Sequence, residues 1–127
     1  MAEVYDENPT QKIISNRQLS SRMNNTKWKK LLHSLKANPN FNPDVNIKFL
    51  DETHNKGKFS PVWWSEVEEI GFVRIEWLEI RTYTEENQGR LIEPKRIDYS
   101  EFIILCLKSA SIDYFQENDV IRVNAYI

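Results

Sequence analysis

Residues 72 to 81, Phe-Val-Arg-Ile-Glu-Trp-Leu-Glu-Ile-Arg, constrain the fold more than any other stretch of this chain. Arg74, Glu76, Glu79 and Arg81 are interleaved with Val73, Ile75, Trp77, Leu78 and Ile80. Successive side chains of a strand point to opposite faces, so this alternation predicts a strand, running from Phe72 to Thr84, with one dry and one wet side. The apolar phase changes between Trp77 and Leu78, which calls for a β-bulge there or for burial on both faces.

Other segments supply partners for such a strand. Val45, Ile47 and Phe49 alternate with Asn46, Lys48 and Leu50 and read as an earlier strand. Pro61-Val62-Trp63-Trp64 can begin an edge strand, while Ser65–Ile70 stays unassigned. Glu85–Gly89 reads as a turn that returns Arg90–Ile92 as an antiparallel partner before Pro94. Ile112–Gln116 and Val120–Ile127 form a terminal hairpin around Glu117-Asn118-Asp119, with Ile121, Val123, Ala125 and Ile127 on one face and Arg122 and Asn124 on the other.

Two helices carry helical spacing. After Asn25 as a cap, Trp28, Leu31, Leu32 and Leu35 fall at i, i+3, i+4 and i+7. The turn-rich run from Asn38 to Pro43 ends that helix. Asp98 stands three residues before Glu101 as in a reciprocal helix start, and Phe102, Ile103, Cys106, Leu107 and Ala110 form an inward face that Ile104 and Leu105 widen. A weaker helix is expected over Ile13–Met23, with residues 1 to 12 loosely attached. The expected fold is α+β, a mixed or mainly antiparallel sheet with two principal helices packed on one face. Residues 1–21 form an N-terminal arm and 22–127 a single domain.

At 127 residues the chain can bury a core without metal or disulfide. Its one cysteine cannot form an internal disulfide, and no apolar run approaches the length of a membrane span, which favours a cytoplasmic setting without membrane contact. The net charge of −2 is unevenly spread. From Asn8 to Pro43 there is no acidic residue, while Lys12, Arg17, Arg22, Lys27, Lys29, Lys30 and Lys36 are basic. Such asymmetry bears on partners more than on fold.

No reactive constellation stands out. His33 and His54 lack ligand spacing, so no metal and no cofactor is expected. Cys106 sits in an apolar helix as a small core residue, and the glycines at 57, 71 and 89 stand alone. Glu66, Glu68, Glu69, Glu76 and Glu79 include carboxylates that a cleft can set at different pKa values, but structural salt bridges with Arg74, Arg81 and their neighbours are the favoured account.

Asn24-Asn25-Thr26-Lys27-Trp28-Lys29-Lys30-Leu31, Ile47-Lys48-Phe49-Leu50-Asp51, Ile75-Glu76-Trp77-Leu78-Glu79-Ile80 and Asp119-Val120-Ile121-Arg122-Val123 together resemble an uncharacterised family of small bacterial proteins. The resemblance spans residues 22 to 127 and departs at Asn124-Ala125-Tyr126, where the family ending contains glycine. It implies a bacterial cytoplasmic single domain, no known reaction and no catalytic residue.

Three functions are weighed. The leading one is a non-enzymatic protein-binding module, in the form of an immunity or antitoxin-like protein. It would use Trp63 or Trp64 as an apolar anchor, Glu66, Glu68 and Glu69 to steer a basic partner, and Arg74, Glu76 and Arg122 on an open sheet face. The alternative is nucleic-acid binding through Arg17, Arg22, Lys27, Lys29 and Lys30, which predicts steep salt dependence. The third is a small-molecule enzyme using carboxylates near Glu76.

Overall fold

The structure is a computed structural model and describes residues 8–52, 57–62 and 64–127. Its order is α1 (Pro9–Asn16), α2 (Asn25–Lys36), β1 (Asp44–Phe49), β2 (Ser60–Pro61), α3 (Trp64–Ile70), a 3₁₀ turn (Phe72–Arg74), β3 (Ile75–Arg81), β4 (Tyr83–Glu86), β5 (Lys95–Asp98), α4 (Ser100–Ser109), β6 (Phe115–Glu117) and β7 (Val120–Asn124). Five strands form one sheet in the order β2-β1-β3-β7-β6, and β4 with β5 forms a separate hairpin; every pairing is antiparallel. This is the expected α+β architecture, but the central strand runs over Ile75–Arg81 and not from Phe72 to Thr84: Phe72–Arg74 form the 3₁₀ turn and Tyr83 opens β4 of the separate hairpin.

Leu78 and Ile80 of β3 lie opposite Ile47 and Val45 of β1 and opposite Val123 and Ile121 of β7. Register therefore aligns one apolar row per strand on a single face. Trp28, Leu31, Leu32 and Leu35 of α2 and Ile103, Cys106 and Leu107 of α4 join that row in a continuous core. Trp28 stacks on Phe72 at 6.0 Å between centroids, fastening α2 to the start of β3. Phe41 packs against Tyr99 at 4.5 Å and Phe102 at 5.6 Å, so the loop after α2 grips the start of α4.

The change of phase in β3 is a bulge, one residue earlier than the sequence placed it. Trp77 opposes Lys48 and Ile75 opposes Phe49, which leaves Glu76 as the extra residue. The bulge keeps Ile75 in the core while Trp77 takes the outer face.

Several local expectations change. The first helix spans Pro9–Asn16 instead of Ile13–Met23, because the Asn8 side chain accepts the Gln11 N–H at 2.8 Å and Pro9 suits the first helical turn. Beyond it the chain is extended: Ser20 and Ile127 exchange backbone hydrogen bonds of 2.8 and 2.9 Å, and Arg22 N–H donates to Ala125 O at 2.7 Å. The α2 cap is Asn24, not Asn25; its side chain accepts the Lys27 N–H at 2.8 Å. Asn24→Ala is expected to destabilise the fold by about 1 kcal/mol, measured as a lowered urea midpoint with unchanged slope.

The return strand of the β4 hairpin is Lys95–Asp98, after Pro94, while Arg90–Ile92 belong to the connecting turn and Leu91 is 99% exposed. Proline lacks the N–H that pairing needs, so the ladder begins beyond it. Asp98 and Glu101 do not cap α4 reciprocally. Asp98 accepts from the backbone and hydroxyl of Ser100, and the residue at the cap position, Tyr99, makes no side-chain capping bond. Leu105 does not widen the buried stripe, being 66% exposed on the far side of α4, and Ile127 is exposed past the end of β7.

Candidate functional site

Both principal helices cover the same face of the sheet, which leaves the other face with polar side chains. Pairing fixes which ones meet. Asn46 lies opposite Glu79, Lys48 opposite Trp77, Glu79 opposite Arg122, and Arg122 opposite Phe115 of β6.

Most charges on this face are held in a defined contact. Glu76, projected by the bulge, pairs with Arg17 and, at 3.1 Å, with Lys48. Burial pushes its carboxyl upward, but hydrogen bonds and charge from Arg17 and Lys48 outweigh that push and leave it below the ordinary carboxylate value. Glu79 accepts from Asn46 at 3.3 Å and from Arg122 Nε at 3.2 Å. Arg81 reaches Asp44 at 3.2 Å, and Arg96 reaches Asp119 at 2.7 Å.

The guanidinium groups also lie over rings. Arg122 is 4.1 Å from the Trp77 centroid, Arg81 is 4.6 Å from that of Phe59, and Arg96 is 3.6 Å from that of Tyr83. Planar guanidinium favours the negative face of an aromatic ring, and stacking holds the long side chain in place. Phe59, Tyr83, Phe115, Glu79, Arg81 and Arg122 border a depression of about 820 Å³ on this face. Phe115 is 62% exposed, an unusual position for a phenylalanine.

The residues singled out in the sequence fall into separate places. Trp63 and His54 lie outside the described residues. Trp64 opens α3 instead of continuing an edge strand, and it is half-buried beside a second hollow of about 410 Å³ with Leu35, Phe41 and Val62. Glu66, Glu68 and Glu69 are exposed on α3. Arg74 belongs to the 3₁₀ turn and pairs with Asp51, so it is not among the strand residues of the polar face. Glu76 and Arg122 are on that face, each in an ion pair.

Of the basic residues, Arg17 is drawn to Glu76, and Lys27 donates to the Ser111 carbonyl at 3.1 Å. Arg22, Lys29 and Lys30 are exposed, the two lysines on the solvent side of α2. Phe59, Tyr83, Arg96, Phe115 and Asp119 escaped the sequence reading. They come from distant segments, and only strand pairing brings them together.

Burial raises the Cys106 thiol above its ordinary value, the opposite of what a nucleophile requires. Glu76 is shifted toward the charged form, not toward a general acid. Among the described residues no group of three or more His, Cys, Asp or Glu is placed to hold a metal ion, and no helix is long and apolar enough to cross a membrane.

Comparison with known protein families matches residues 10–127 to the model described as "Family of unknown function (DUF6678)". No curated protein and no solved structure matches the chain. The matched region takes in nearly all of α1 as well as the segments that carried the resemblance. Because that match covers most of its length, the chain belongs to this family of unknown function.

Proposed function

We propose that this chain is a non-enzymatic protein-binding module that receives its partner at the depression on the sheet face opposite α2 and α4. The observation that carries this reading is that three arginines, Arg81, Arg96 and Arg122, lie over aromatic rings around the depression. Arginine and large aromatic side chains supply most of the energy in protein interfaces, and side chains already ordered by stacking lose less freedom on association.

The charges favour a protein over a polyanion. Arg17, Lys48, Arg81, Arg96 and Arg122 are each joined to a carboxylate of the same surface, and Glu117 adds a further negative charge. A nucleic-acid footprint needs cations free to neutralise phosphates. An immunity or antitoxin-like role would be one instance of such a module, with the partner's active surface occluded against this face.

The test is capture of a stoichiometric partner from the native host, followed by titration of the purified pair. Trp77→Ala and Arg122→Ala together are expected to weaken binding by about 10- to 100-fold while leaving the circular dichroism spectrum unchanged. A partner bound equally well by the double variant would displace the reading, as would binding to RNA or DNA abolished by Lys29→Ala with Lys30→Ala.

A further inference from the structure

The two edges of the five-stranded sheet differ. On one side β2 is only two residues long and contains Pro61, which has no N–H to offer a new strand. On the other side lies β6, and all three of its residues are exposed. The two-residue turn Asn118-Asp119 closes on the Glu117–Val120 pair, so that pair exchanges backbone hydrogen bonds. Alternation then directs the Gln116 N–H and C=O away from β7 and toward solvent, and neither has a partner among the described residues.

The side chains beside that open backbone are themselves uncommitted. Phe115 and Glu117 flank Gln116, share one face and border the depression. Phe115 is the most exposed aromatic residue there, and the Glu117 carboxylate, unlike Glu79, Asp44 and Asp119, joins no ion pair or hydrogen bond among the described residues. An unpaired amide and carbonyl, an exposed ring and an unmatched negative charge thus occur on consecutive residues. A second copy pairing antiparallel at Gln116 would set Glu117 opposite Phe115 and leave both carboxylates without a cation.

We infer that β6 is the docking edge for an extended segment of a partner protein, which adds as a further strand opposite Gln116 and places a basic residue against Glu117 and an apolar residue, two positions away, against Phe115. This mode of recognition takes affinity from the main chain and selectivity from alternate side chains. The inference rests on the protein-binding reading above and specifies how the partner is held.

The probe is a short synthetic peptide in which threonine alternates with valine, lysine, phenylalanine and valine, titrated into the ¹⁵N-labelled full chain and followed by amide shifts. Saturable shifts are expected at Phe115, Gln116 and Glu117. Replacement of the peptide lysine by glutamate should weaken binding about tenfold, and Glu117→Lys should reverse that preference. Gln116→Pro should remove binding while the β7 amide shifts persist, since the lost N–H does not pair with β7.

Unchanged affinity for Gln116→Pro would overturn the inference, as would the absence of any shift. Shifts confined to Trp77 and Arg122 would also overturn it, while leaving the open-face reading in place. That reading is judged separately by the Trp77 and Arg122 double variant, which leaves β6 intact.

Discussion

Trp28→Ala is expected to lower the stability of the fold by about 3–5 kcal/mol, the largest single effect anticipated here. Trp28 is 2% exposed, packs in the α2 row with Leu31, Leu32 and Leu35, and stacks on Phe72 at the entrance to β3. Truncation removes the transfer energy of the indole and leaves a cavity between two elements that cannot both move inward. Domains of this size are commonly stable by only about 5–15 kcal/mol, so the variant should unfold at a much lower urea concentration. Trp28→Phe retains a ring and should recover a large part of the loss. A midpoint within error of the parent chain would show that α2 is not anchored through this contact.

Glu76→Gln should give the second largest effect, about 2 kcal/mol near neutral pH. The Glu76 and Lys48 side chains are only 15% and 14% exposed, so their contact is partly shielded from water, whereas Arg17 is 47% exposed and contributes less. The dependence on pH has a definite sign. The carboxyl titrates lower in the folded chain than its ordinary value of 4.5, so its stabilisation is complete above that value and declines as pH falls through the lower, folded-state value. The parent and variant urea midpoints should therefore differ at pH 7 and converge in acid. A difference that grew as pH fell would reverse the assignment. Loss of Glu76 would also release Arg17 and leave Lys48 facing outward without its carboxylate, so the outer face would change charge as well as stability.

The open face depends on the same arrangement that makes these substitutions severe. The bulge at Glu76 sends that carboxylate outward without turning Ile75 out of the core. With Leu78 and Ile80 inward, an unbroken alternation would turn Glu76 into the core and Ile75 out of it. The phase change at Trp77-Leu78 signalled this irregularity in the sequence, and pairing with β1 fixed its position at Glu76. In the same way, helical spacing predicted the buried row of α2, but the spacing in α4 also suggested burial of Leu105, which faces solvent. Local periodicity defines an apolar stripe more readily than its width, because width depends on what packs against it.

The family match supports the resemblance carried by the Asn-Asn-Thr-Lys-Trp and Ile-Glu-Trp-Leu-Glu-Ile segments, and those segments prove to be largely structural. Asn24 caps α2, Trp28 anchors it, and Ile75, Leu78 and Ile80 form the centre of the core. The surface proposed for recognition takes Trp77, Glu79 and Arg122 from the quoted segments but Phe59, Tyr83, Arg96 and Phe115 from outside them. A short motif can mark a fold while marking only part of a site.

Sequence by itself determined the two principal helices, the central strand, the terminal hairpin and the division of β7 into apolar and polar sides, since each follows from side-chain direction along a few neighbouring residues. Only the tertiary structure decided that Arg122 lies over Trp77, that Arg81 meets Phe59, that Arg17 reaches Glu76 and that β6 ends the sheet. Those relations join segments far apart in the chain. They are set by strand register and packing, which no local pattern of side chains encodes.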